Sequence, residues 1–273
     1  MIFTVLGAGG FIGSHLVADL ERQGHTVFAP ARRDPVPFDR PLGHVIYCIG
    51  LTADFRTRPF DTVRAHVTVL ADLLEKADFT SLLYLSSTRV YARSPAARED
   101  APLCADPNDP SDLYNLSKLA GESLCLSCGR REVRVARLSN VVGHDPASEN
   151  FLSALIRAAL GGSVALQSAP ESEKDYVLLE DVVGILPRIA AGGRERVYNV
   201  AGGRNLRHGD IAARLAEITG CGVAAPPGLP RQGFPQIDIG RLREEFGFAP
   251  ASVLDSLPGI VAGYRAAMQP PNH

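Results

Sequence analysis

Two side chains four residues apart, Tyr114 and Lys118, carry the clearest chemistry in this sequence. On a helix, residues at that spacing share a face. A free tyrosine ionises near pH 10, so forming the phenolate at neutral pH costs about 4 kcal/mol. A fixed ammonium nearby favours the ionised form and lowers that cost. The pair reads as a proton-transfer device working near pH 7. The same spacing also fits a solvated helix face, so the surrounding elements must decide.

Those elements alternate. Residues 2–6 form a short apolar run that stops at glycine, as a buried parallel strand does. A glycine-rich loop follows, then helical periodicity over 14–23 closed by Gly24, then a second strand over 26–29. Strands over 44–49, 81–85 and 132–138 alternate with helices over 63–77 and 111–128. This order predicts an α/β fold with a doubly wound parallel sheet covered on both faces. Beyond Val142 the rhythm loosens, with helical stretches over 151–160 and 209–219 and extended ones over 175–179 and 196–200.

Gly7, Gly10 and Gly13 sit between the first strand and the first helix, followed or flanked by Phe11 and Ile12. Glycine there permits a tight turn, lets a pyrophosphate approach the backbone, and allows close helix–strand packing. The helix start offers free amides and a positive dipole end. In its strand–loop–helix–strand setting this predicts dinucleotide binding. After the second strand an acidic residue would hydrogen-bond the ribose 2′-hydroxyl of NAD. Here Arg32 and Arg33 come first and Asp34 only afterwards. Guanidinium forks suit a 2′-phosphate, which favours NADP over NAD. The alternative leaves both arginines solvated and gives the reading to Asp34.

Ser86-Ser87-Thr88 ends the strand upstream of the Tyr114 helix, where hydroxyls face a ligand crevice. With the glycine loop, these serines and Tyr114-x-x-x-Lys118 in this order, the chain resembles the extended short-chain dehydrogenases/reductases. More narrowly, it is similar to the NAD-dependent epimerase/dehydratase branch that acts on nucleotide sugars. The segments Arg137-Leu-Ser-Asn140-Val-Val-Gly143, Lys174-Asp175-Tyr176, Tyr198-Asn199-Val200 and Phe246-Gly-Phe-Ala-Pro250 extend the resemblance along the chain.

The resemblance implies a Rossmann-type sheet with a small, segmented substrate-binding lobe. Residues 1–142 would form the dinucleotide-binding domain, with 173–200 returning to it; 143–172 and 201–273 would form the lobe. It implies that Tyr114 is the acid/base, that Lys118 tunes it and binds the nicotinamide ribose, and that Ser87 hydrogen-bonds the reacting oxygen. Thr88 and Asn140 would contact substrate, and Ile49 would line the cofactor site. A homodimer through the helices over 63–77 and 111–128 is also implied. Three places depart from the family pattern. Thr88-Arg89 stand where dehydratases carry Asp-Glu, which argues against 4,6-dehydration. His66 replaces a frequent Asn and reads as a helix-start polar residue. Ile49-Gly50 replace paired alanines.

Bulk properties bound the rest. The 273 residues are 45% hydrophobic and 21% charged, ordinary for a globular protein. A net charge of −2 gives no reason to expect nucleic acid or an anionic membrane as partner. Five scattered cysteines argue against a disulfide framework, and Cys125-x-x-Cys128 lies inside a helix without a second ligand pair, so no metal is expected. No basic leader opens the chain, so a cytoplasmic location is expected. Two other functions fit less of the sequence: an NADPH-dependent reductase of a non-sugar carbonyl, and a non-catalytic NADP-binding sensor. The second has no need of Ser87, Tyr114 and Lys118 together.

Overall fold

The computed structural model describes residues 1–268, apart from 32–33, 35–37, 53, 147 and 149. The first half runs β1 (Ile2–Leu6), α1 (Phe11–Arg22), β2 (Thr26–Phe28), β3 (His44–Tyr47), α2 (Pro59–Val63), a π-turn over Arg64–Thr68, α3 (Val69–Lys76), β4 (Ser81–Ser87), α4 (Leu113–Ser127) and β5 (Val133–Leu138). The second half adds β6 (Asn140–Val142), α5 (Phe151–Leu160), β7 (Ser163–Ala165), β8 (Glu173–Leu178), α6 (Leu179–Gly192) and β9 (Val197–Val200). It ends with β10 (Asn205–Arg207), α7 (His208–Thr219), β11 (Gly222–Ala224), α8 (Gly240–Phe246) and α9 (Val253–Met268).

The main sheet has the order β2-β1-β3-β4-β5-β9 and is parallel throughout. It is Rossmann-like and doubly wound, as the alternation of elements predicts. Period-two alternation divides its side chains between two cores. Ile46, Leu83 and Leu85 pack with Leu16 and Leu20 of α1 and with Ile185, Leu186 and Ile189 of α6. Val45, Tyr47, Leu82 and Tyr84 pack on the other face with Leu70 and Leu73 of α3 and Cys125 of α4. Each such leucine contributes about 1.5–3 kcal/mol by leaving water.

A third core lies outside the sheet. Leu152, Leu155 and Ile156 of α5 pack with Ile211 and Leu215 of α7 and with Leu257, Val261 and Tyr264 of α9. The short sheets β10-β8-β6 and β11-β7 belong to this half of the chain. Yet β9 returns to the main sheet beside β5.

Two strand-level expectations change. The strand expected over 81–85 runs on to Ser87, because Ser86 and Ser87 pair with Arg137 and Leu138. The helix expected over 63–77 is interrupted by the π-turn, where Val69 N–H bonds Arg64 C=O five residues back. A π-turn loosens its own carbonyls. Two tyrosines from the sheet take them up: Tyr47 OH donates to Ala65 O at 2.7 Å, and Tyr84 OH donates to His66 O at 3.2 Å.

Candidate active site

The chain passes from β1 to β2 on one side, then crosses to β3 on the other, which makes a switch point at the carboxyl ends of β1 and β3. Such points open a ligand crevice. The glycine loop occupies this one. Gly7 has φ +88°, and a Cβ there would lie 2.8 Å from the Cys48 carbonyl carbon and 2.9 Å from Ile49 N. A Cβ on Gly13 would lie 2.3 Å from Gly7 O. Gly7 and Gly13 are therefore fixed by close approach, whereas a Cβ on Gly9 would meet nothing within 4 Å. Gly10 caps α1 without a side-chain bond, and no acidic residue sits in the first turn. The first helical bond runs from Ser14 N to Gly10 O at 2.9 Å, so the Phe11, Ile12 and Gly13 amides precede the ladder. Open backbone and spare amides at a helix start fit the pyrophosphate of a dinucleotide. Arg32 and Arg33 lie outside the described residues. Asp34 uses its carboxylate locally, accepting from Ala31 N at 2.9 Å.

The second half of the site is carried by α4. Tyr114, Ser117, Lys118, Gly121, Glu122 and Cys125 are buried, a stripe at helical spacing that faces the sheet. The start of α4 is anchored by Asp112, which accepts from Arg93 Nε and Asp106 N, each at 2.8 Å. Tyr114 and Lys118 do share a face, and it points inward. The Ser87 side chain lies close enough to the Tyr114 phenol to favour its ionised form. Ser87 Oγ also accepts from Arg89 N at 3.2 Å, closing a short turn that carries Thr88. Ser86 is engaged elsewhere, donating to Glu122.

The electrostatics differ from the simple picture of a lysine acidifying a tyrosine. Burial pushes the Tyr114 phenol above its ordinary value, opposed by the nearby Ser87 side chain and the Arg89 charge. The cation over the ring is Arg89, with Cζ 5.5 Å from the ring centre. Phe55 packs beside it, its ring centre 5.5 Å from that of Tyr114. Burial also weighs on Lys118 and brings its ammonium down to about 7, with Glu122 pulling the other way. Lys118 Nζ donates to Leu85 O at 2.8 Å.

The residues after β3 join the two halves. A Cβ on Gly50 would lie 3.5 Å from Lys118 Nζ and 3.3 Å from His66 Nε2. Thus Cys48, Ile49 and Gly50 touch the glycine loop at one end and the lysine at the other. Asn140 is exposed and donates from Nδ2 to Asp175 O at 2.7 Å, so its oxygen and its second N–H remain for another partner. Thr88 is buried at the start of its turn.

Three residues of this site were not assigned to it from sequence. Phe55 carries no signal of its own. Arg89 and His66 were visible as departures from a family pattern, and His66 was read as a helix-start polar residue. It is instead fully buried in the π-turn, with its ring edge-on to Tyr114 at 5.4 Å between centres.

Known proteins resemble this chain in sequence and in fold. Residues 3–201 match the NAD dependent epimerase/dehydratase family. The chain is 29% identical over 207 residues to a dTDP-glucose 4,6-dehydratase of Streptomyces griseus, covering 71% of this chain and 62% of that one. It is 29% identical over 245 residues to a GDP-6-deoxy-D-mannose reductase of Pseudomonas aeruginosa, covering 78% and 79%. Among solved structures, MoeE5 in complex with UDP-glucose and NAD aligns with a TM-score of 0.79 at 25% identity, covering 98% of this chain and all of that one.

Proposed function

This chain belongs to the NAD dependent epimerase/dehydratase family, and from that premise we propose that it is an NAD(P)-dependent epimerase or keto-reductase of a nucleotide sugar. One observation carries the reading: Tyr114 and Lys118 share the buried face of α4, with Ser87 near the phenol, beside a glycine loop with open backbone. Bound at that loop, a nicotinamide would accept or supply hydride. Tyr114 takes the proton from a sugar hydroxyl as it is oxidised, or returns one to the keto oxygen on reduction. Ser87 holds that oxygen and the phenol in one hydrogen-bonded pair. Lys118, anchored on Leu85 O, supplies a positive charge next to the nicotinamide ribose.

Arg89 bears on the type of reaction. Eliminating water from a sugar calls for a further acid/base group near the reacting carbons. A guanidinium over the Tyr114 ring supplies none, which supports epimerisation or reduction over 4,6-dehydration. Residues 143–172 and 201–273 would hold the sugar nucleotide, with the oxygen of Asn140 and the hydroxyl of Thr88 at its near edge. Arg32 and Arg33 would favour NADP. A homodimer through α3 and α4 is part of this reading; Val63 and Leu126 are 39% and 40% exposed near those helices. Among the described residues no helix is long and apolar enough to cross a membrane, and a cytoplasmic location belongs to the same proposal.

A thermal-shift panel of nucleotide sugars with NAD or NADP tests the assignment, because ligand bound to the folded state raises stability. At 100 times its Kd, a ligand adds about 2.7 kcal/mol. Stabilisation by a cofactor together with at least one nucleotide sugar is expected; no response to any sugar rejects it. Stoichiometry then separates the reactions. An epimerase regenerates its cofactor each cycle, whereas a reductase consumes one per turnover.

A further inference from the structure

His66 is fully buried, yet every polar atom of its ring has a partner. Its Nδ1 lies 2.8 Å from Ser117 Oγ. Leu51 N, a fixed backbone donor, points at Nε2 at 3.3 Å, so that nitrogen is the acceptor and the imidazole proton sits on Nδ1. Ser117 Oγ then accepts from the ring and gives its own proton to Tyr114 O at 2.9 Å. Burial, with the Lys118 charge beside it, holds the ring neutral by pushing it down to about 3.

These bonds reach three parts of the site at once. Through Ser117 the ring holds the backbone of Tyr114. Through Leu51 it holds the loop that follows β3. By packing it touches the Tyr114 ring at 5.4 Å, edge to face, and its Nε2 shares the space over Gly50 with Lys118 Nζ. The π-turn makes this reach possible. Its carbonyls Ala65 O and His66 O are held by Tyr47 and Tyr84 from the sheet. Gly121 lets α4 come close, since a Cβ there would lie 2.7 Å from His66 O.

We infer that His66, as a neutral Nδ1–H imidazole on a π-turn, is a positioning residue that locks Tyr114 and Lys118 against the loop carrying Ile49 and Gly50. The inference rests on the proposed function for its kinetic consequence, but the tautomer does not depend on it. An imidazole is longer than an asparagine amide and binds at both ends. Asparagine at this place can keep the bond to Ser117 but cannot span to Leu51; glutamine can reach Leu51 but is badly placed for Ser117.

Two measurements test this on the full chain. Nitrogen-15 NMR of histidine-labelled protein, with His66 assigned by its loss in H66N, should show protonated Nδ1 and bare Nε2 at pH 7. An Nε2–H tautomer or an imidazolium overturns the inference whether or not the chain acts on sugars. Kinetics on a nucleotide sugar that the wild type turns over form the second arm. His66→Ala should lower kcat by about 10²-fold with KM changed less than about threefold, since misplacing a reacting group by 1 Å costs that much. His66→Asn should recover kcat to within about tenfold of wild type. Ser117→Ala, which cuts the same path without touching the ring, should lose about tenfold and carries the test if the alanine variant at 66 does not fold. A kcat for His66→Ala within about threefold of wild type, or equal losses for Ala and Asn, overturns the positioning role. A wild type inactive on every nucleotide sugar defeats the proposed function instead, and the NMR result then decides on His66.

Discussion

Two buried polar regions of this molecule are built in opposite ways. Beneath α4 and β5, Arg137 donates to Glu122 at 2.7 Å and to Tyr91 OH at 2.6 Å; Tyr91 OH donates to Asn199 Oδ1 at 2.9 Å. Ser86 closes the group on Glu122. Arg137 and Glu122 are both only 4% exposed, and their charges are fully engaged. At the seam of β8 and α7 the pattern reverses. His208 is buried with Nδ1 2.7 Å from Ser168 Oγ, while its Nε2 has no partner among the described residues. The Tyr176 hydroxyl is in the same condition. A buried unsatisfied group costs about 1–3 kcal/mol. The first region spends its polarity on holding the sheet to α4. The second leaves two buried polar atoms unpaired.

Four experiments would break or sharpen that contrast. The largest effect is expected at Tyr114, which lies above the engaged network. Tyr114→Phe keeps the shape and removes the proton carrier, so turnover should fall about 10²–10⁴-fold. Cofactor affinity, measured by titration calorimetry, should stay near the wild-type value. Next comes the network itself. Glu122→Gln leaves Arg137 buried without its counter-charge and should cost about 3–5 kcal/mol in urea unfolding. A loss below 1 kcal/mol, roughly the value of a surface pair, would show that this region is no more committed than the seam.

At the seam the expected stability change is smaller. His208→Phe removes one hydrogen bond and keeps an aromatic ring against Phe151, whose centre lies 4.1 Å away. The lost bond, about 1 kcal/mol, is offset by removing the unpaired Nε2, so stability should change by less than about 1 kcal/mol. Equal stability losses at His208 and Glu122 would erase the distinction. The smallest effect concerns pH. Lys118 sits near 7 when folded and near 10.5 when unfolded. Between those values the unfolded chain binds more protons, so this group's contribution to stability rises with pH. Comparing wild type with Lys118→Met, the relative melting temperature of wild type should climb from pH 7 to pH 9. Glu122 faces the same ammonium and favours its charged form. A flat difference would mean that this neighbour outweighs its burial.

Much of this molecule was legible before any coordinates, for definable reasons. The glycines at 7, 10 and 13 encode a backbone approach that only glycine permits, and the sheet order follows from short apolar strands alternating with amphipathic helices. Tyr114 and Lys118 share a face because both lie on one unbroken helix. His66 escaped because a π-turn inserts one residue into the helical repeat, and the apolar pattern of Val67, Leu70 and Leu73 reads as continuous across it. Its partners lie on α4 and after β3, far away in sequence. The placement of charge was also hidden. Spacing sets Lys118 beside Tyr114, but only packing reveals that burial brings the lysine down to about 7 and that Arg89 is the cation over the ring.

The short length of β2 has a consequence of its own. It forms one margin of the main sheet and is only three residues long. A margin offers unpaired backbone groups to any passing extended segment. Three residues give such a segment too few bonds to repay its ordering, about 1–2 kcal/mol for each residue fixed. Even crowded with copies of itself, the chain has little there to template strand-by-strand growth of a fibre.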